Sequence, residues 1–191
     1  MRLLRLLMTI LLLSTVSCTT ILVHTTGSEG IQEDPTERTA GTIVEDESIE
    51  TKILVNLKSQ EPAFRKAHFQ VYSHNGVVLM VGQVPTQEMK VQATEIASRA
   101  SAKIKRIHNE LEVIPNSDII SRGTDAYIST RIRTMMLTNR AVPSDQVKVI
   151  TENSAVFLMG LVSQTDGNKA ADLARNVSGV RRVVKIFEYV N

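Results

Sequence analysis

The chain offers one thiol. Cys18 is its single cysteine. A lone thiol cannot close an intramolecular disulfide or build a cysteine-based zinc site. It can, however, be covalently modified. The four histidines, His24, His68, His74 and His108, fall in neither H-x-x-x-H nor H-E-x-x-H spacing, so no metal site is expected. The sequence reads them as solvent-facing polar residues. His24 lies in a polar stretch, His68 and His108 at strand starts, and His74 in a turn. The acids Glu45-Asp46-Glu47 precede a predicted helix, where negative charge suits the positive end of the macrodipole. That accounts for them without general acid–base chemistry. The nucleophile elbow G-x-S-x-G, the dinucleotide motif G-x-G-x-x-G and the phosphate-binding P-loop are all missing. The expectation is therefore no catalytic residue, no cofactor, no metal and no enzyme.

A different chemistry stands out near residue 130. Tyr127, Arg131, Arg133, Leu137 and Arg140 share a stretch with no acid between Ala126 and Val142. Arginine presents forked donors that match phosphate oxygens. Tyrosine suits the headgroup level of a bilayer, with its body in apolar matter and its hydroxyl in water. This stretch therefore suits an anionic bilayer surface; the other reading is a solvated basic face with Tyr127 packed on the other domain. The corresponding early stretch, residues 47–58, interleaves Glu47 and Glu50 with Lys52 and Lys58. A second basic cluster, Arg181-Arg182 with Lys185, reads as protection of a strand edge. Met135, Met136 and Met159 read as core filler.

Composition bounds these readings. A 42% hydrophobic chain of 191 residues is too apolar to be mostly disordered, and it is long enough for one or two small domains. A net charge of +2 does not support nucleic-acid binding. Both surplus charges, Arg2 and Arg5, lie at the very start. Leu6 to Leu13 then run almost purely apolar, and small polar residues lead to Cys18. This is the layout of an export signal. The apolar run is too short to span a bilayer, which takes about 20 residues. Thr15-Val16-Ser17-Cys18 resembles the bacterial lipobox. The resemblance implies cleavage before Cys18 and fatty acylation (palmitate) of the cysteine, with chains sufficient for stable anchoring. Thr19 in place of Asp implies sorting to the outer membrane. The four segments are then 1–18 signal, 19–45 polar flexible linker, 46–114 first domain and 115–191 second domain.

An internal repeat organises the rest. HFQVYSHNGVVLMVGQV (68–84) matches QVKVITENSAVFLMGLV (146–162), with Asn75 facing Asn153 and Gly82 facing Gly160. Ile49, Ile53 and Leu57 recur at helical spacing, as do Ile128, Ile132 and Met136. Asn75-Gly76 is a strong hairpin turn, and Asn153-Ser154 a weaker one. Val77 to Val84 is almost wholly apolar, as befits a central strand buried on both faces. Ser163 to Asp166 has capping-box character. Each unit reads αββαβ. The fold class is α+β, with two tandem domains, each a three-stranded mixed sheet covered by two helices.

Paired αββαβ units, each with a strand pattern resembling V-x-G-x-V, resemble the BON domain. The whole length is similar to the dual-BON outer-membrane lipoproteins of enterobacteria. VKVITENSAVFLMGLV (147–162) and VSGVRRV (177–183) carry the likeness most specifically. In the first unit Ala100-Ser101-Ala102 stands where the second has Val177-Ser178-Gly179. The resemblance implies a lipid-anchored protein on the periplasmic face of the outer membrane that supports envelope integrity. It implies binding of anionic phospholipid (phosphatidylglycerol, cardiolipin) through the opening helix of the second domain, with Tyr127, Arg131, Arg133 and Leu137 as the phospholipid-binding residues, and relatives carry Trp in place of Tyr127. It also implies enrichment at division sites and association with the outer-membrane protein assembly machinery. Two other readings stay open: a module that docks on an envelope protein complex, and a peptidoglycan-associated structural protein.

Overall fold

The computed structural model describes residues 34–114 and 122–190. Cys18, His24 and the signal segment lie outside that range. The elements of the first unit are α1 (Ala40–Gln60), a 3-10 turn (Pro62–Arg65), β1 (His68–His74), β2 (Val77–Val84), α2 (Gln87–Ser98) and β3 (Arg106–Val113). The second unit repeats them as α3 (Arg122–Thr138), β4 (Lys148–Glu152), β5 (Ala155–Val162), α4 (Gln164–Arg175) and β6 (Arg182–Tyr189). In each unit the central strand pairs antiparallel with the hairpin strand before it and parallel with the last strand. Both sheets are therefore mixed, as the pattern predicts.

Local chemistry sets the element ends. Thr39 caps α1 by accepting from the Thr42 N–H at 3.1 Å, so the helix starts six residues ahead of Asp46, within the stretch read as linker. Ser163 accepts from the Asp166 N–H at 3.1 Å and bonds the Asp166 carboxylate at 2.7 Å, capping α4. In each unit one helix stripe is buried against the sheet. Ile49, Ile53 and Leu57 meet Phe69, Val71, Val78 and Met80 in the first unit. Ile128, Ile132 and Met136 meet Val149, Val156 and Leu158 in the second.

The opposite sheet faces bury one another. Val77, Leu79 and Val81 of β2 pack with Ile150, Ala155, Phe157, Met159 and Ile186 of the second unit. This explains why β2 and β5 are buried along their whole length: helices cover one face and the partner sheet covers the other. A pair of equivalent contacts rims this layer. Asn75 Nδ2 donates to Glu188 at 3.0 Å, and its counterpart Asn153 Nδ2 donates to Glu112 at 2.8 Å. Each hairpin turn thus reaches the last strand of the other unit. Ion pairs Lys105–Glu188, Arg182–Glu110 and Lys148–Glu50 also cross between the units.

Three sequence expectations change here. Asp46 is not a helix-end acid. It lies one turn and a half into α1, is 2% exposed, and caps the first hairpin turn. His74 is buried rather than solvent-facing, and the His108 Nε2 is buried without a hydrogen-bond partner. Their strands turn them into the layer between the sheets. Arg181 and Arg182 do more than guard an edge. Arg181 donates to the Asn153 carbonyl at 2.5 Å, while Arg182 pairs with Glu110 and lies over the Phe157 ring. The methionines behave as expected: Met136 and Met159 are buried, and Met135 packs on the core.

Candidate functional site

Helix α3 brings the four predicted phospholipid-binding residues to its outer surface. At about 100° per residue, Ile128, Ile132 and Met136 fix the inward stripe. Thr130 and Thr134 then stand on the outward side, with Tyr127 and Leu137 beside them. Tyr127 is 59% exposed and Leu137 73% exposed. They sit about 80° apart around the helix and roughly 15 Å apart along it. Tyr127 is therefore largely exposed to solvent rather than packed away. The hydroxyls of Thr134 and Thr138 bond back to the carbonyls of Thr130 and Thr134, at 2.9 and 3.1 Å. Those hydroxyls are satisfied within the helix, which leaves their methyl groups to the surface.

The two arginines flank this face from opposite sides, because two residues turn the helix by about 200°. They are not equivalent. Arg131 is exposed, while Arg133 Nη2 donates to the Val149 carbonyl at 2.6 Å. Val149 lies on β4, the free edge of the second sheet, so Arg133 ties helix to edge with one of its five N–H groups. The rest of the fork stays available. Arg133→Ala is expected to cost about 1–2 kcal/mol of stability through the orphaned carbonyl, and Arg131→Ala less than about 0.5 kcal/mol. Urea unfolding of the two variants checks this.

The nearest acid at the start of α3 is engaged by local bonds. Asp125 accepts from the N–H groups of Asn153 and Ser154, both at 2.8 Å. It therefore holds the second hairpin turn rather than opposing an anion. Exposed apolar residues also occur on α1, at Val44 and Val55, but Glu45 and Glu47 stand among them. A cleft of about 400 Å³ runs beside α3, between Ser129, Arg133 and β4 on one side and His68, Gln70 and Tyr72 on the other. Its cations Lys148 and Arg133 are balanced by Asp125 and Glu152. Among the described residues no group of three or more His, Cys, Asp or Glu could hold a metal, and no helix is long and apolar enough to cross a membrane.

The BON domain model matches residues 45–115 and again 124–191. The chain belongs to the BON domain family. The BON domain is a non-catalytic module, and this chain is not an enzyme. It is 35% identical over 161 residues to the outer membrane lipoprotein DolP of Haemophilus influenzae, covering 84% of this chain and 82% of that one. It is 37% identical over 153 residues to the 21 kDa hemolysin of Actinobacillus pleuropneumoniae, covering 80% and 78%. It is 26% identical over 162 residues to osmotically-inducible protein Y of Escherichia coli, covering 83% and 80%. The two BON matches span both αββαβ units, so α3 is the opening helix of the second BON domain. The sequence reading missed Asp46 and Asp125 as turn holders. Their signal was present: each lies three residues before the first buried isoleucine of its helix, Ile49 or Ile128.

Proposed function

We propose that this protein is a lipid-anchored periplasmic component of the outer membrane that binds anionic phospholipid through α3 and supports envelope integrity. One observation carries the reading: an exposed, acid-free helix face bearing Tyr127 and Leu137 between Arg131 and Arg133. Likeness to an outer membrane lipoprotein over most of both chains supports the location. Fatty acylation of Cys18 would keep α3 at the membrane surface. Contacts of about 1 kcal/mol per arginine then suffice, because the anchor removes most of the cost of association. Enrichment at division sites and contact with the outer-membrane assembly machinery are extensions of the same proposal.

Vesicle binding tests it. Residues 19–191 are mixed with phosphatidylglycerol or cardiolipin vesicles, and with zwitterionic ones, at two salt concentrations. Binding is expected to be selective for the anionic vesicles and weaker at high salt. Arg131→Glu should weaken it by roughly 30-fold, two charges at about 1 kcal/mol each. Tyr127→Ala should weaken it roughly fivefold through lost apolar burial. Selectivity untouched by both substitutions would remove α3 as the site and favour docking to an envelope protein.

A further inference from the structure

Every described histidine lies in the first unit and on one face of its sheet. His68 and His74 sit on β1 and His108 on β3. Phe69 and Val71 of β1, and Leu111 of β3, point into the helix-side core. Strand alternation therefore turns all three histidines toward the second unit. Their neighbours agree. Glu110 and Glu112, in phase with His108, contact Arg182 and Asn153 of the second unit. His68 Nε2 lies 3.8 Å from Glu152 on β4. The second unit has no histidine of its own.

The two deeper histidines have no use for a proton. His74 is 9% exposed, with Arg38 and Asp46 near it from its own unit, Lys148 from β4 and Glu188 from β6. Burial, reinforced by Arg38, pushes it down to about 4. His108 has Arg106 and Glu110 beside it on its own strand, and Arg182 of β6 lies across from it on Glu110. Burial lowers its proton affinity too, with Arg106 adding to the effect. Its buried Nε2 makes no hydrogen bond, so nothing there is built to hold a charge.

We infer that the layer between the two BON domains is an acid-operated joint: protonation of His74 and His108 parts the sheets and uncovers their apolar faces, while each domain keeps its fold. An imidazolium in this layer must be hydrated. Opening the joint hydrates both rings at once and leaves both helix-side cores intact. The sign follows from proton binding. A hydrated histidine takes a proton near pH 6.5, whereas the buried His74 resists until about 4. Falling pH therefore favours the open form across that window, and the closed form is fully retained above it. His68 acts in the opposite sense, since protonation strengthens its pair with Glu152. It keeps the far end of β1 pinned, so the joint swings open from the His74 end. The faces released carry Leu79, Val81, Phe157 and Met159.

The test places spin labels on the outer helices at Val55→Cys and Asp172→Cys, in the chain carrying Cys18→Ser. Their separation is followed by pulsed electron resonance from pH 7.5 to 4.5, beside the far-ultraviolet helix signal. The separation is expected to lengthen with a midpoint between pH 6.5 and 4, the helix signal staying constant. A His74→Gln/His108→Gln variant is expected to remain closed throughout. Nuclear magnetic resonance titration of the wild-type imidazoles provides a check that needs no variant: His74 should protonate at the opening midpoint. The inference fails if the separation is constant, if lengthening coincides with loss of helix, if the double variant opens at the same pH, or if His74 protonates without any opening.

Discussion

Replacing Gly160 by alanine is expected to lower stability by at least about 3 kcal/mol. A Cβ at this position would stand 2.0 Å from the Gln146 carbonyl oxygen, and the contact is with backbone, which cannot swing aside. The position also has φ +154°, which an L side chain rarely adopts. Its counterpart Gly82 is in the same plight: φ is +116°, and the added carbon would lie 2.3 Å from the His68 carbonyl oxygen. The glycine of this strand pattern thus exists because, at positive φ, a Cβ would be driven into the backbone of the paired hairpin strand. For a domain pair of this size the loss corresponds to a fall in Tm of roughly 6–12 °C. Gly123→Ala is the control. Nothing lies within 4 Å of its Cβ site, in the first turn of α3, so it should be neutral or stabilising by up to about 1 kcal/mol. Thermal and urea unfolding of Gly160→Ala, Gly82→Ala and Gly123→Ala decides; a Gly160→Ala protein within about 0.5 kcal/mol of wild type, the scatter of surface substitutions, would refute the backbone-clash argument.

Asp46→Ala is expected to cost about 3–5 kcal/mol. The carboxylate accepts from the Ser73 hydroxyl at 2.6 Å, the Asn75 N–H at 2.8 Å and the Gly76 N–H at 2.9 Å, and it pairs with Arg38 at 2.8 Å. Removal leaves these donors buried without an acceptor. Asp46→Asn should be nearly as harmful, because an amide brings its own donors to a site that needs only an acceptor. Burial alone would raise this carboxyl. The bonds from Ser73, Gly76, Arg38 and Asn75 outweigh it and hold the group below the ordinary carboxylate range. Its contribution is therefore complete above about pH 4 and is lost only as the pH falls through the lowered value. Asp125→Ala should cost less, since Asp125 holds the second turn through two N–H bonds, where Asp46 also takes the Ser73 hydroxyl and the Arg38 ion pair. Urea unfolding at pH 7 ranks the three; equal costs for Asp46→Ala and Asp125→Ala would contradict the ledger of donors.

Much of this architecture is written in short-range pattern. The helical spacing of Ile128, Ile132 and Met136 names the buried stripe of α3, and by subtraction the exposed one. The two-sided apolarity of Val77 to Val84 announces that something covers both faces. It does not say what. That cover is the other sheet, and its polar rim joins residues such as Asn75 and Glu188, 113 positions apart. No local period encodes a pairing of that kind. Asp46 was obscured by the polar run before it: Thr39 starts the helix early, so an acid that looks terminal is interior. The Asn153-Ser154 turn looks weak because Ser154 must hold φ +60°. A carboxylate 28 residues upstream supplies what the turn residues lack. His74 was misread for a related reason. A turn-flanking histidine is usually wet, but this one faces a second sheet.

The most direct measurement asks which helix meets the bilayer. A single nitroxide is placed at Thr134→Cys, in the middle of the outward face of α3, and separately at Thr51→Cys on the outer side of α1, in residues 19–191. Collisional access to oxygen and to a water-soluble nickel chelate is read with and without phosphatidylglycerol vesicles. The account predicts that the Thr134 label gains oxygen access and loses nickel access on anionic vesicles, while the Thr51 label stays in water. Labels that remain wet at both sites, or immersion at Thr51 instead, would contradict it.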